Sequence, residues 1–335
     1  MSNPQRLPVA IDAMGGDKAP AEIVAGAVRA RDELGVPVVL VGRSAEIGDT
    51  DGIEVIEASE VIAMDADPAK SVRTMKDSSL VRAAEAVRDG RASAMVSAGN
   101  TGATMASALL RMKRLGGVGR PAIATPLPCP GADAPTVLLD AGANAECTPE
   151  WLVQFAQMGA TYARRRYGIE TPKVGLLSIG EEPSKGTPLV KETHGLLAEG
   201  TWAQSCGGVF VGNVEGRDIL SPDVDVVVTD GFTGNVVLKT LEGSMRSLVN
   251  AILASFNTND ETKAASEVLF PALLPLYGQL DPNNTGGAML LGLNGVCIIS
   301  HGSSNATAIV NAVKVATEMV DGDLVGAIAS TIRPE

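Results

Sequence analysis

Residues 92–115, Ala92-Ser-Ala-Met-Val-Ser97-Ala-Gly-Asn-Thr101-Gly-Ala-Thr-Met-Ala-Ser-Ala-Leu-Leu-Arg-Met-Lys-Arg-Leu115, show the pattern on which the whole chain is built. Ala92–Ser97 is a short apolar run of the kind found in buried strands, and Thr101–Leu115 repeats apolar residues at helical spacing. A Gly-rich turn separates the two. This order predicts a strand–turn–helix unit in which the helix returns over one face of a parallel sheet.

The same alternation extends in both directions from this unit. Further strands are predicted at Pro8–Met14, Val36–Gly42, Ile53–Glu57, Thr136–Asp140, Lys173–Ile179, Val224–Thr229 and Val296–Ser300. Helices are predicted at Pro20–Leu34, Ser78–Asp89 with Ser78 as N-cap, Pro149–Tyr167, Thr187–Glu199, Thr233–Phe256 and Ser303–Val320. The pattern predicts an α/β fold, a mostly parallel sheet with helices on both faces, in one two-lobed domain spanning residues 1–335.

One segment departs from the alternation. Residues from about 233 to 293 read as a helical insertion without a strand. Within it, Val268–Leu280 is uncharged, and Pro271 and Pro275 are expected to divide it into short pieces. Such a stretch fits core packing, a dimer contact, an acyl-chain contact or a membrane contact, and the sequence leaves these open.

Composition narrows the classes of function. The 335 residues carry a formal charge of −12, which argues against binding to nucleic acid. Four scattered cysteines and two histidines argue against a zinc site, so no metal site is predicted. Neither a signal peptide at Met1–Leu7 nor an apolar run of the ~20 residues that a membrane span needs is evident. We therefore expect a cytoplasmic protein, at most peripheral to a membrane.

Five predicted strand ends carry Gly-rich polar turns. In a parallel sheet such turns meet at one edge, where helix N-termini offer free amides, so together they predict an anion-binding crevice. Neither a Walker A loop nor a dinucleotide-binding GxGxxG motif is present, and a triad of His301, Ser303 and Asp230 would lack a nucleophile elbow. The turns are Asp12–Asp17, Ser97–Gly102, Ile179–Gly186, Thr229–Asn235 and Ser300–Ser304.

Two further features have both a functional and an ordinary interpretation. Lys185, on a Gly-flanked loop, is a positive charge suited to phosphate or an oxyanion, although an ordinary solvent-exposed loop lysine is the more common case for such a residue. Residues 90–132 contain no Asp or Glu, and the predicted helix Thr101–Leu115 is expected to present Arg111 and Arg114 outward. Together with Lys113 and Arg120 they would form a basic surface for an acidic partner, or simply complement the helix dipole.

Eight ordered blocks of the sequence resemble one known family across nearly the whole chain. The blocks are Val9–Asp17, Ser97–Gly102, Gly142–Asn144, Lys185-Gly186, Gly212–Glu215, Thr229–Lys239, Gly286–Gly292 and His301–Ser303. They are similar to the PlsX family of acyl-acyl-carrier-protein:phosphate acyltransferases. The resemblance implies a fold akin to phosphate acetyltransferases and isocitrate or isopropylmalate dehydrogenases. It further implies a cofactor-free homodimer whose acyl phosphate product passes to a membrane glycerol-3-phosphate acyltransferase at the inner membrane face.

The resemblance also suggests roles for the turn residues. Lys185, His301 and Asn213 are the expected catalytic residues, with His301 or Asn213 as oxyanion donor, and the acyl carrier protein is expected to dock on the basic surface. Phosphate is expected at the amides near Gly99–Gly102 and Thr233–Asn235. The other expected site residues are Asp12, Gly15, Gly16, Asp17, Gly99, Asn100, Thr101, Gly102, Asn144, Gly186, Glu215, Asp230, Thr233, Gly234, Asn235 and Ser303. Two alternatives remain open: a phosphate acetyl- or butyryltransferase that uses CoA, and a non-catalytic scaffold that binds carrier protein at a membrane.

Overall fold

A computed structural model describes residues 6–280 and 282–332. Its strands are β1 Val9–Asp12, β2 Val38–Gly42, β3 Val55–Glu57, β4 Ala94–Ser97, β5 Ala122–Leu127, β6 Thr136–Leu139, β7 Lys173–Leu177, β8 Val209–Val214, β9 Val226–Val228, β10 Ala288–Leu291 and β11 Val296–Ile299. Its α-helices are α1 Ala21–Leu34, α2 Ser44–Ile47, α3 Pro68–Thr74, α4 Ser79–Arg88, α5 Thr101–Met112, α6 Pro149–Tyr167, α7 Pro188–Ala198, α8 Ala203–Cys206, α9 Gly231–Phe256, α10 Asp260–Leu280, α11 Ala306–Asp321 and α12 Leu324–Thr331.

The strands of the described residues form a single sheet in the order β3-β2-β1-β4-β11-β10-β5-β6-β9-β7-β8. Because side chains alternate along each strand, the sheet buries apolar residues on both faces. Ile11 and Val96 face a layer that contains α1, α6 and α11, while Ala10 and Met95 face α4 and α5. The predicted fold class is thereby confirmed.

The direction of the strands changes in the middle of the sheet. The strands β3, β2, β1, β4 and β11 are mutually parallel, β10 is antiparallel to both β11 and β5, and β5 is antiparallel to β6. The strands β6, β9, β7 and β8 are again mutually parallel. The carboxyl ends of these two groups of strands therefore lie at opposite edges of the sheet.

Three strands had no counterpart in the sequence prediction. β5 contains Pro126 and β8 contains Gly212, which are both unfavourable within strands. β10 is only four residues long and lies between Gly287 and Gly292. The prediction of a strandless segment up to residue 293 is therefore wrong from Ala288 onward, although the helical part of the insertion is confirmed.

Helices α9 and α10 carry many exposed apolar side chains, among them Leu248, Phe270 and Leu274. The prediction that Pro271 and Pro275 break this region is wrong, since both lie inside α10. Being four residues apart, they fall on one exposed face, where water can satisfy the carbonyls that a proline leaves without a donor. Among the described residues, the helices lack the combination of length and apolar character that crossing a bilayer requires.

Candidate functional site

The turns after β1 and β4 pack tightly against each other. Asp12, at the end of β1, accepts a 2.7 Å hydrogen bond from the Ser97 hydroxyl, which itself accepts one from the Gly99 amide. A Cβ atom on Gly15 would lie 2.4 Å from the Asp12 carboxylate and 2.7 Å from the Gly99 nitrogen, so only glycine fits there. Burial raises the pKa of the Asp12 carboxyl, while the hydrogen bonds that the carboxylate accepts act in the opposite direction and lower it. Asp12 thus shapes the turns from inside the protein.

The N-terminus of α5 is set up by Asn100. Its side-chain oxygen accepts a 3.0 Å bond from the Ala103 amide, and its Nδ2 donates to the carbonyls of Met64 and Ala66. This cap satisfies one of the first amides of the helix, whereas those of Thr101 and Gly102, in the first turn, have no acceptor within the helix. The beginning of α5 is therefore a place where an anion can be bound by the backbone.

The turn after β11 lies at the same edge of the sheet. Asp17 donates its backbone amide to the Gly302 carbonyl over 2.8 Å, and Gly16 lies against the same carbonyl. The exposed His301 accepts from the Ser303 amide at Nδ1, 3.2 Å away, and lies 2.8 Å from the Ser303 hydroxyl. In the neutral ring this leaves the proton on Nε2, which is then a donor for a bound oxygen.

Asp140 organises the opposite edge, and sequence reasoning missed it. Its buried carboxylate accepts from the amides of Ile123, Gly142, Ala143 and Asn144, and also from the Asn144 side chain. Burial raises the pKa of Asp140, whereas these donors oppose the rise. The signal was available, since an Asp ends a buried apolar run before a Gly-containing turn here, as it does at Asp12.

The start of α9 docks onto this turn. Gly231 donates to the Asn144 carbonyl over 2.7 Å, and Asn235 donates to the Ala141 carbonyl over 3.3 Å. Asp230 accepts from both the amide and the hydroxyl of Thr233, as an N-cap does. The amides near residues 142–144 and at Thr233 are therefore used by protein carboxylates, so phosphate binding at Thr233–Asn235 is not supported by this geometry.

The loop after β7 carries Lys185. Its aliphatic part packs on Gly180, its side chain is exposed, and the next residue, Gly186, has a φ of 93° that favours glycine. Asn213 on β8 donates to the Glu182 carbonyl over 2.9 Å and lies 3.0 Å from His194 Nδ1. Asn213 therefore holds the Lys185 loop in place, a role the sequence did not indicate.

Glu215, beyond the end of β8, has its own partners. Its carboxylate pairs with Arg217 at 3.2 Å, and its amide donates to Asp218. These contacts give Glu215 a local structural role, and its expected place in the substrate site stays a prediction.

The five Gly-rich turns thus fall into two groups. The turns that contain Asp12, Ser97 and His301 lie at one edge of the sheet, while those that contain Lys185 and Asp230 lie at the opposite edge. The prediction of a single shared edge is wrong because β10 and the β5–β6 pair reverse the strand direction.

A groove of about 660 Å³ is lined by residues from both edges of the sheet. Its lining includes Gly102 from the first edge and Ala143 and Asn144 from the second. Most of its wall is apolar, formed by Pro68, Met105, Ala106, Leu109, Trp151 and Leu290. Its volume is that of a typical small-molecule site.

The polar side chains of this groove are few. Arg120 stacks over the Trp151 ring at 5.0 Å, and Glu146 lies on the same wall. Burial raises the pKa of the Cys147 thiol to about 12, and the charge of Asp140 adds to the rise. Since the nucleophile is the thiolate, Cys147 is poorly suited to attack a substrate.

The predicted basic surface is only partly present. Arg111 was expected to face outward, but it is half-buried and lies 3.5 Å from Glu85 on α4, because that face of α5 packs against α4. Lys113, Arg114 and Arg120 are exposed. Lys113 and Arg114 line a second hollow of about 670 Å³, which shares Leu109 with the apolar groove.

Comparison with known proteins agrees with this fold. The model of a family described as "Fatty acid synthesis protein" matches residues 7–326. A protein named "Phosphate acyltransferase" from Elusimicrobium minutum is 47% identical over 333 residues, which cover 97% of this chain and 95% of that protein. One of the same name from Halothermothrix orenii is 46% identical, with 98% and 99% covered. A phosphotransacetylase structure from Streptococcus pyogenes covers 95% of each chain at 18% identity, with a TM-score of 0.64.

Proposed function

The chain belongs to the PlsX family of fatty acid synthesis proteins, and from this membership we propose that it makes acyl phosphate from long-chain acyl carrier protein and inorganic phosphate. The chain is an acyltransferase enzyme. The single observation that carries the proposal is sequence similarity over nearly the whole chain to proteins named as phosphate acyltransferases, one of which is 47% identical. The place of the reaction in bacterial phospholipid synthesis is part of the same proposal.

The proposed reaction makes modest chemical demands. A phosphate oxygen attacks the thioester carbonyl, a tetrahedral oxyanion forms, and the C–S bond breaks to release the carrier thiolate, which is then protonated. Phosphate is already an anion at neutral pH and thiolate leaves readily, so neither a strong base nor a covalent enzyme intermediate is required. The enzyme has to position the two reactants and donate hydrogen bonds to the oxyanion.

The geometry supports the first edge as the phosphate site. The amides of Thr101 and Gly102 at the start of α5 are the proposed phosphate donors, because the amides near Asp140 and Asp230 already serve those carboxylates. His301 remains our proposed oxyanion donor, and Asn213 becomes a positioning residue for the loop of Lys185.

The acidic carrier protein is proposed to dock at the exposed Lys113 and Arg114. Reversing both charges, Lys113→Glu with Arg114→Glu, should raise the KM for acyl carrier protein about tenfold and leave acyl-CoA kinetics unchanged. Arg165→Glu, on the exposed face of α6, is the control. Equal losses with both carriers would remove this surface from the proposal.

A homodimer and contact with the inner membrane face are further parts of the proposal. Both are supported by the exposed apolar side chains of α9 and α10, which include Leu273 and Leu274. A Leu273→Glu, Leu274→Glu variant distinguishes a subunit contact, measured by light scattering, from a membrane contact, measured by vesicle flotation. Loss of the dimer would assign these residues to the subunit contact, loss of flotation alone would assign them to the membrane, and no change would remove them from both.

The reaction itself is tested by trapping its product. The protein is incubated with phosphate and long-chain acyl carrier protein, long-chain acyl-CoA or acetyl-CoA, and acyl phosphate is trapped with hydroxylamine. Phosphate-dependent hydroxamate from the long-chain carrier protein is expected. Product from acetyl-CoA alone would favour a CoA-dependent acetyltransferase, and an absence of product in all three would favour a non-catalytic scaffold.

A further inference from the structure

We propose that the apolar groove along α5 holds the acyl chain of the substrate thioester, with the thioester at the Gly102 end, the chain running towards Leu109, and the floor formed by Leu290 of β10. This inference rests on the proposed function, whose substrate it locates within the fold. It gives the groove one occupant, a saturated or monounsaturated hydrocarbon chain.

The first support is the chemistry of the walls. Met105, Ala106 and Leu109 project from one side of α5 and remain only half-buried, although their neighbours Ala103 and Ala108 are fully buried. Incompletely covered apolar side chains that line a concave surface are typical of sites for apolar ligands. From Gly102 to Leu109 the helix rises by roughly 10 Å at 1.5 Å per residue, so the groove offers an extended path rather than a small hole.

The second support is the position of the groove between polar sites. The lining reaches Gly102, whose amide is a proposed phosphate donor, and also includes Asn144. A thioester at the Gly102 end would therefore lie next to the bound phosphate, with its acyl chain along α5. The lining residues that carry charge are Arg120 and Glu146, both exposed at the rim.

The third support is the shared residue Leu109. It lines both the apolar groove and the hollow that contains Lys113 and Arg114. An acidic carrier docked over that hollow would lie beside the Leu109 end of the groove, and the long arm that bears its acyl group would have to span roughly 10 Å along α5 to place the thioester at Gly102. The basic charges around this end of the groove, including Arg120 on Trp151, complement such a carrier.

Ala106→Phe tests the proposal by filling the middle of the groove. It should lower kcat/KM for palmitoyl thioesters about tenfold or more and change butyryl thioesters less than about twofold. Leu110→Phe is the control, because Leu110 lies about one turn further along α5, is 51% exposed and does not line the groove. Equal losses with both chain lengths, or no loss with either, would overturn the proposal.

A binding measurement keeps the inference separate from the reaction. The chain has two tryptophans: Trp202 is buried immediately before α8, and Trp151 lines the groove. In a Trp202→Phe background, dibrominated stearic acid should quench the Trp151 fluorescence saturably, and Ala106→Phe should weaken this binding about tenfold. Absence of saturable quenching would overturn the groove assignment even if phosphorolysis is observed. Quenching without any phosphorolysis would support the groove and refute the proposed function.

Discussion

The substitution Gly234→Ala tests how α9 is attached to the site. Gly234 lies in the first turn of α9, where a Cβ atom would fall 1.9 Å from the carbonyl oxygen of Asp140. Real Cβ atoms essentially never approach closer than 3.0 Å, so the helix and the turn would have to separate by at least 1.1 Å, the difference of these two distances. The first contacts to be lost are then those that join the two elements, Gly231 to Asn144 and Asn235 to Ala141.

The Asp140 backbone is poorly able to yield. Its amide donates to Thr229 over 3.0 Å, and its carboxylate is held by the donors from Ile123 and residues 142–144. Overpacking at such a rigid site typically costs 1–3 kcal/mol, and we expect a loss of about 3 kcal/mol in the free energy of unfolding. Urea denaturation followed by circular dichroism measures this loss.

Gly243→Ala is the control, since Gly243 lies on the same helix and its added Cβ would meet nothing within 4 Å. Because alanine is the better helix former, this variant should be more stable by roughly 0.5–1 kcal/mol. If Gly234→Ala were as stable as Gly243→Ala, the close contact between α9 and the Asp140 carbonyl would be refuted.

Three other predictions concern single side chains. Cys147→Ala should retain at least about half of the turnover, because a thiol with a pKa near 12 is not a nucleophile at neutral pH, and a hundredfold loss in steady-state rate would contradict this. Lys185 lies at the edge opposite the proposed phosphate donors, and the prediction that its charge acts at the site is tested by Lys185→Ala. This variant should lower kcat at least about tenfold while Lys191→Ala on α7 does not, and equal kinetics would remove Lys185 from the site. The bonds from Ser59 and then Arg82 lower the pKa of Asp77 from 3.8 to about 2, so its stabilisation is complete above pH 4 and is lost as the pH falls towards 2. Asp77→Asn should therefore be less stable than the parent at pH 7, by no more than about 1 kcal/mol because this pair is partly exposed. Urea titrations at several pH values measure the difference in the free energy of unfolding. A difference that stays constant down to low pH would contradict the assignment.

The sequence by itself determined the fold class and most of the elements. The strands β4 and β11 and the helices α6 and α9 lie close to their predicted positions, because local apolar periodicity and Gly-rich turns report directly on buried strands and packed helices. Ordered motifs likewise identified the family. These properties depend on residues that are close together in the sequence, so they can be recognised without the tertiary structure.

Only the tertiary structure decided which turns meet. The sequence of a short strand such as β10 does not indicate whether the strand pairs in a parallel or an antiparallel direction. Because β10 is antiparallel to β11 and β5, and β5 is antiparallel to β6, Lys185 and His301 lie at opposite edges of the sheet. The partners of Asp140 and the engagement of Arg111 with Glu85 also follow from contacts between distant segments. The groove that is lined from both edges is formed by α3, α5, β10 and the segments flanking β5 and β6, so its walls exist only once those segments are packed together.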